Sequence, residues 1–317
     1  MRHQFTSFAT SILLCCWVVQ GNAAEVNAAE ESDGSTTWEW LEDQRDGVSR
    51  GVTNLGRRID AWLAGEGVGE HENETYLRVD FFQQVGSLDG YHSRLDVSGS
   101  LDLPGASERW RLIFESDDED QNSLQDTVLG RRNSNTSVGA LRYLQELPGN
   151  WNISHDFGVK TDIPIDPYYR LKVDTEYELG NAWSVGFAQR IWYYHHDGWG
   201  YNTDLVFNRQ LAEDRVLQIT TEVRYQKDDN ITEFAQLLSV HRPMGNLRSL
   251  TYSLGLLGVS EPNTRVNAYF VEGRYRQAIW EDWLFLEITP QIVVDRDENW
   301  RPETRLVANL EVMFFDF

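Results

Sequence analysis

From residue 75 to the end, the chain alternates apolar and polar residues over long uninterrupted stretches, and few folds accept that pattern. In "YYRLKVDTEYEL", residues 168–179, Tyr169, Leu171, Val173, Thr175, Tyr177 and Leu179 fall on one side. Tyr168, Arg170, Lys172, Asp174, Glu176 and Glu178 fall on the other. A period of two is that of an extended strand whose faces meet different surroundings. "RVLQITTEVRYQ" at 215–226 repeats it, with Leu217, Ile219, Thr221, Val223 and Tyr225 against Gln218, Thr220, Glu222, Arg224 and Gln226. Residues 284–295 do the same, with Leu284, Leu286, Ile288, Pro290, Ile292 and Val294 opposite Glu287, Thr289, Gln291 and Asp295.

Length then separates two solutions. Strands of soluble sandwiches usually run about 5–6 residues, whereas a tilted strand needs roughly 9–11 to cross a bilayer. The runs here match the second figure, and a membrane barrel explains the polarity, with lipid outside and a hydrated interior. The chain is therefore expected to be all-β, a transmembrane antiparallel β-barrel. Turn punctuation marks strands near 75–86, 91–103, 108–117, 137–147, 150–161, 167–179, 182–194, 200–211, 215–227, 230–241, 247–258, 264–278, 282–295 and 303–317. That gives about 14 strands, with 12 as the alternative, an even count that returns both chain ends to one side. Tight turns such as "ELPGN", "ELGNA" and "LAEDR" alternate with longer, more acidic connections, the longest at 117–136. Trp110, Trp151, Trp183, Trp280 and Trp283 flank the tight turns, and Trp192, Tyr193, Tyr194, Trp199 and Tyr201 flank a long one, as two interfacial aromatic girdles would.

The other end of the chain is different. Residues 1–23, "MRHQFTSFATSILLCCWVVQGNA", have Arg2, an apolar stretch too short to span a bilayer, and small residues at Gly21 and Ala23, the pattern of a secretory signal peptide. Cleavage there removes Cys15 and Cys16, the 2 cysteines of the chain, so neither disulfides nor thiolate metal sites are expected. The full chain has 28 basic and 50 acidic side chains; loss of Arg2 leaves 27 against 50, or −23. Such a charge argues against nucleic acid as a partner. Residues 24–74 form a segment of their own, in which 36–63 space Leu41, Val48, Val52, Leu55, Ile59 and Trp62 as an amphipathic helical stripe. Thr36 and Glu39 suit a capping box, and 64–74, "AGEGVGEHENE", a linker into the barrel at 75–317.

The chain ends "LEVMFFDF", and with the strand pattern this resembles the outer-membrane β-barrel proteins of Gram-negative bacteria, which finish on an aromatic residue. The resemblance is porin-like and architectural, covering 75–317. It implies residence in the outer membrane, contact with outer-membrane lipid and lipopolysaccharide, and a periplasmic place for residues 24–74. It also implies an assembly signal read by the barrel-assembly machinery, carried by Met313, Phe315 and Phe317, with Leu306, Leu310 and Val312 before them. Phe314, Val312 and Leu310 have the opposite parity to Phe315, so a bulge in the last strand is one way to reconcile the two sets.

Three function classes follow. The first is a narrow porin-like channel for small hydrophilic solutes or ions, gated or plugged by the N-terminal helix. By alternation its lumen is lined by Arg78, Asp80, Arg94, Asp96, Arg111, Glu115, Arg170, Lys172, Asp174, Glu176, Arg190, Glu222, Arg224, Glu272, Arg274, Arg276 and Glu287, along with Arg142, Asp156, Lys160 and Asp204. The same charges also suit a set of salt bridges that close the lumen. The second class is a structural or accessory barrel acting on a periplasmic partner through 36–63. The third is a surface hydrolase, for which His195, His196 and Asp197 are the candidates, although no nucleophile motif such as G-x-S-x-G accompanies them. No catalytic residue, metal ligand or cofactor is assigned.

Overall fold

The computed structural model describes residue 42 and residues 45–50, 75–103, 109–116, 123–131, 137–161, 164–245 and 247–315. The chain divides into two compact units, Met1–Arg45 and Asp46–Phe317. Residues 42 and 45–50 are helical, within the span expected to form the N-terminal helix. The rest of 36–63, the signal segment 1–23 and the linker lie outside the described residues. None of the described helices is long and apolar enough to cross a membrane.

The described residues of the second unit include fourteen strands. They are β1 (Tyr76–Gly86), β2 (Gly90–Asp102), β3 (Trp110–Glu115), β4 (Val138–Leu147), β5 (Trp151–Lys160), β6 (Asp166–Gly180) and β7 (Trp183–Tyr194). The chain continues with β8 (Gly198–Ala212), β9 (Arg215–Gln226), β10 (Ile231–Pro243), β11 (Arg248–Val259), β12 (Arg265–Trp280), β13 (Leu284–Asp295) and β14 (Pro302–Phe315). Each strand pairs antiparallel with its sequence neighbours, and β1 pairs with β14 to close the barrel. Closure leaves no terminal edge strand, although among the described residues the short β3 pairs with β2 only over Ser98–Asp102. All fourteen expected strands are present, each boundary within 2 residues of the sequence reading.

Local chemistry sets the turns. At "LPGN", Gly149 and Asn150 both take positive φ (88° and 61°), the left-handed conformation that glycine and asparagine adopt most readily. The outward face is apolar and exposed, with Leu95 53%, Phe157 52%, Leu254 56% and Val271 49% accessible, as a lipid-facing belt would be.

The aromatic girdle at the long-loop end is half of what the sequence suggested. Tyr193, Trp199 and Tyr201 are outward, and Trp199 packs against Tyr201 and Tyr225. Trp192 and Tyr194, however, are 1% and 0% exposed and point inward, because they share the parity of Arg190. Trp192 lies flat over Gly200, where a Cβ would come within 2.6 Å of its ring.

Candidate functional site

The register decides what faces the interior. Asp80 lies opposite Asp96 and Glu311, Asp156 opposite Arg142 and Arg170, Lys172 opposite Arg190, Asp204 opposite Glu222, and Arg276 opposite Glu287. Cross-strand partners share a face, so this register carries the charged set around the barrel on one side. Arg78, Arg94, Arg111, Glu115, Asp174, Glu176, Arg224, Glu272 and Arg274 join it by strand alternation.

Most of these charges are matched. Arg142 and Arg170 both grip Asp156, at 2.7 Å and 2.8 Å, and the Asp156 and Arg170 side chains are almost fully buried. Arg94 pairs with Asp96 (2.6 Å), Arg190 with Asp204 (2.5 Å), Arg224 with Glu233 (3.4 Å), and Arg276 with Glu311 (2.6 Å). Arg78 and Arg111 pair with Asp80 and Asp102, while Arg274 bridges Glu272 and Glu287. Paired ions around the wall cancel at a distance and leave little net field.

One stretch of wall differs. Among the described residues Lys172, Asp174 and Glu176 form no ion pair; Asp174 accepts from Asn152 Nδ2 (2.9 Å) and Glu176 from Ser184 Oγ (3.0 Å). Asp174, Glu176, Asn152 and Asp204 border a cavity of about 360 Å³ on the β5–β8 wall, toward the tight-turn end.

A second element occupies the interior, and sequence reasoning missed it. Part of the longest connection, between β3 and β4, forms helix α1 (Leu124–Leu129). Ser123 caps it through a capping box with Asp126, and Gly130 closes it in the left-handed conformation with φ 69°. Its docking is inward. Val128 and Leu129 pack on Ala235, Leu257, Ala268, Phe270 and Val293, which belong to the inner faces of β10–β13. The Leu124 amide donates to Glu222 Oε1 (2.9 Å) and Gln125 Nε2 donates to Glu233 Oε1 (3.1 Å). At the other end Arg305 Nη1 donates to the Val128 carbonyl (2.9 Å), and Arg131 reaches Asp295 (3.1 Å) and Asp297 (3.0 Å). Thus α1 lies across β9, β10, β13 and β14, held at both termini. The S-x-x-D spacing and Gly130 were the available signals.

The remaining candidates fall elsewhere. Met313 and Phe315 lie opposite Arg78 and Tyr76, on the inner face, while Leu306, Leu310, Val312 and Phe314 lie outward. β14 keeps an unbroken register with both neighbours, without the bulge considered above. Phe317 lies outside the described residues. His196 Nδ1 is 3.1 Å from the buried Asp166, which also accepts from the His196 backbone amide (3.1 Å). Asp197 instead pairs with Lys160 (2.8 Å). These contacts fasten the β7–β8 turn to the neighbouring loop. Among the described residues no group of three or more His, Cys, Asp or Glu is placed to hold a metal.

A closed fourteen-stranded meander with an apolar exterior and a charged interior defines the class as a porin-like, outer-membrane-type β-barrel. No family model matches the sequence, and no curated protein does. Solved structures do match in shape. A bacterial polysaccharide outer membrane secretin is 8% identical with a TM-score of 0.48, over 78% of this chain and 100% of that one. OccD1 (OprD) is 9% identical with a TM-score of 0.44, over 79% and 97%. The outer membrane channel DcaP of Acinetobacter baumannii is 9% identical with a TM-score of 0.41, over 77% and 96%. At such distances nothing passes from them to this chain, and the barrel assignment rests on the strand register itself.

Proposed function

We propose that the protein is an outer-membrane channel for small hydrophilic solutes or ions, exported by its N-terminal signal peptide and narrowed by α1. The observation that carries this reading is the division of the interior. α1 is latched to the β9–β14 wall, and the unpaired Asp174, Glu176 and Lys172 stand beside a cavity on the β5–β8 wall. Solute passing α1 meets that wall next. Because most of the other inward charges are ion-paired, Asp174 and Glu176 favour cations locally. The exposed apolar belt supports contact with outer-membrane lipid, lipopolysaccharide included. Recognition by the barrel-assembly machinery is assigned to Met313, Phe315 and Phe317.

Planar-bilayer recording of the mature chain tests the reading. It should conduct with modest cation preference, and Asp174→Asn with Glu176→Gln should reduce that preference. Removing residues 36–63 reports separately on gating by that segment: a higher conductance assigns it a place in the opening, and an unchanged one leaves the constriction to α1. The dense ion pairing elsewhere in the lumen favours one rival, an accessory barrel acting on a periplasmic partner through 36–63. Absence of current with and without that segment would select it.

A further inference from the structure

The outward face is not uniformly apolar. Gln189 on β7, Thr203 on β8, Thr221 on β9 and Gln236 on β10 all have outward parity, and all sit near the middle of their strands. Their outward neighbours Ile191 and Leu238 are 45% and 39% exposed, so this is the face that lipid would meet. The register steps the four into a row: Gln189 is opposite Thr203, Thr221 is opposite Gln236, and the two pairs are offset by two residues on adjoining strands.

The row is organised rather than incidental. Thr203 Oγ1 donates to Gln189 Oε1 (2.7 Å), and Thr221 Oγ1 donates to Gln236 Oε1 (2.8 Å). Gln189 Nε2 donates to the Asn202 and Arg190 carbonyls (3.2 Å and 3.3 Å), and Gln236 Nε2 to the Thr220 carbonyl (3.0 Å). Among the described residues this leaves one Gln236 N–H, both threonine hydroxyl acceptors and a lone pair on each amide oxygen without a partner. At mid-bilayer no water is present to take them up.

We infer that this row on β7–β10 is a membrane-embedded interface with a second copy of the chain. The inference rests on the barrel spanning a membrane. Copies inserted by one route share orientation and depth, so rotation about the membrane normal brings the row against itself at equal height. The row offers donors and acceptors together and is therefore complementary to itself, as an isologous contact requires. A different protein would need a matching polar row at the same depth. The bonds formed are of the kind that hold transmembrane segments together where apolar burial supplies no driving force.

Cysteine cross-linking in membranes tests this, in a chain with Cys15 and Cys16 replaced by serine. Thr203→Cys should give a homodimer band about tenfold stronger than Leu95→Cys on the far side of the barrel, the ratio that roughly 1.4 kcal/mol supplies. In detergent, sedimentation should show dimers that Gln189→Leu with Gln236→Leu converts to monomers at unchanged single-barrel conductance. Equal cross-linking at both positions, none at Thr203→Cys, or a band containing another protein overturns the inference. If the double leucine variant does not fold, the cross-linking comparison still decides. Recovery as a soluble protein would instead sink the membrane reading itself.

Discussion

Replacing Glu222 by alanine probes the latch that holds α1 in the lumen. Glu222 is 8% exposed on β9, and its two oxygens accept from the Leu124 amide (2.9 Å) and Asn202 Nδ2 (3.3 Å). The Leu124 amide is in the first turn of α1, where amides have no intrahelical acceptor. A hydrogen bond to a charged group contributes about 1.5–3 kcal/mol. Part of that is offset in the variant, because a carboxylate no longer has to be dehydrated on docking. The net loss of docking free energy is therefore about 1–2 kcal/mol, which raises the undocked population roughly 5–30-fold. Glu222→Gln keeps an acceptor oxygen and should give less than half the loss. Single-channel recording is the assay: Glu222→Ala should show more frequent, longer high-conductance excursions than Glu222→Gln, and the parent fewest. Identical dwell times in all three would refute the latch.

Other perturbations separate wall from core. Leu171→Lys or Val173→Lys should cut membrane yield, since a cation facing lipid at mid-bilayer costs about 2–4 kcal/mol; normal yield would contradict the outward assignment. Asp156→Asn removes the carboxylate that Arg142 and Arg170 share, where the Arg170 side chain is only 2% exposed. That should destabilise the barrel by about 3–5 kcal/mol, read as a lower temperature for the shift in gel mobility on heating in SDS. Deleting Phe317 should lower the amount of folded barrel while surviving molecules conduct normally; full yield would restrict the terminal rings to packing.

Strand positions were legible because each strand carries its own proof. In β6, Leu171 and Val173 must meet lipid while Arg170 and Asp174 must not, and no other period satisfies both. Applied strictly, the same rule would have put Trp192 and Tyr194 inside with Arg190; proximity to a loop suggested a girdle instead. α1 was harder to read. Its 6 residues are too few for a helical period to register, and its stability comes from Glu222, Glu233 and Arg305, which lie 98, 108 and 177 residues from their partners. Charge neutralisation was hidden for a related reason. That Arg305 meets Asp89, 216 residues away, depends on β14 closing onto β1. Most other inward pairs, such as Arg94 with Asp96 and Arg190 with Asp204, lie within one strand or between neighbouring strands, and it is the register that matches them and leaves Lys172, Asp174 and Glu176 as exceptions.

The central claim is that a water path runs past α1 along the β5–β8 wall. The most direct measurement is conductance and reversal potential of the reconstituted mature chain, beside a version with residues 123–131 replaced by a Gly–Ser linker. The account predicts current from both, larger in the replaced version. It also predicts cation preference that weakens as salt rises, because charges beyond about 10 Å are screened at 0.1 M. A folded, membrane-inserted barrel that passes no current in either form would contradict it.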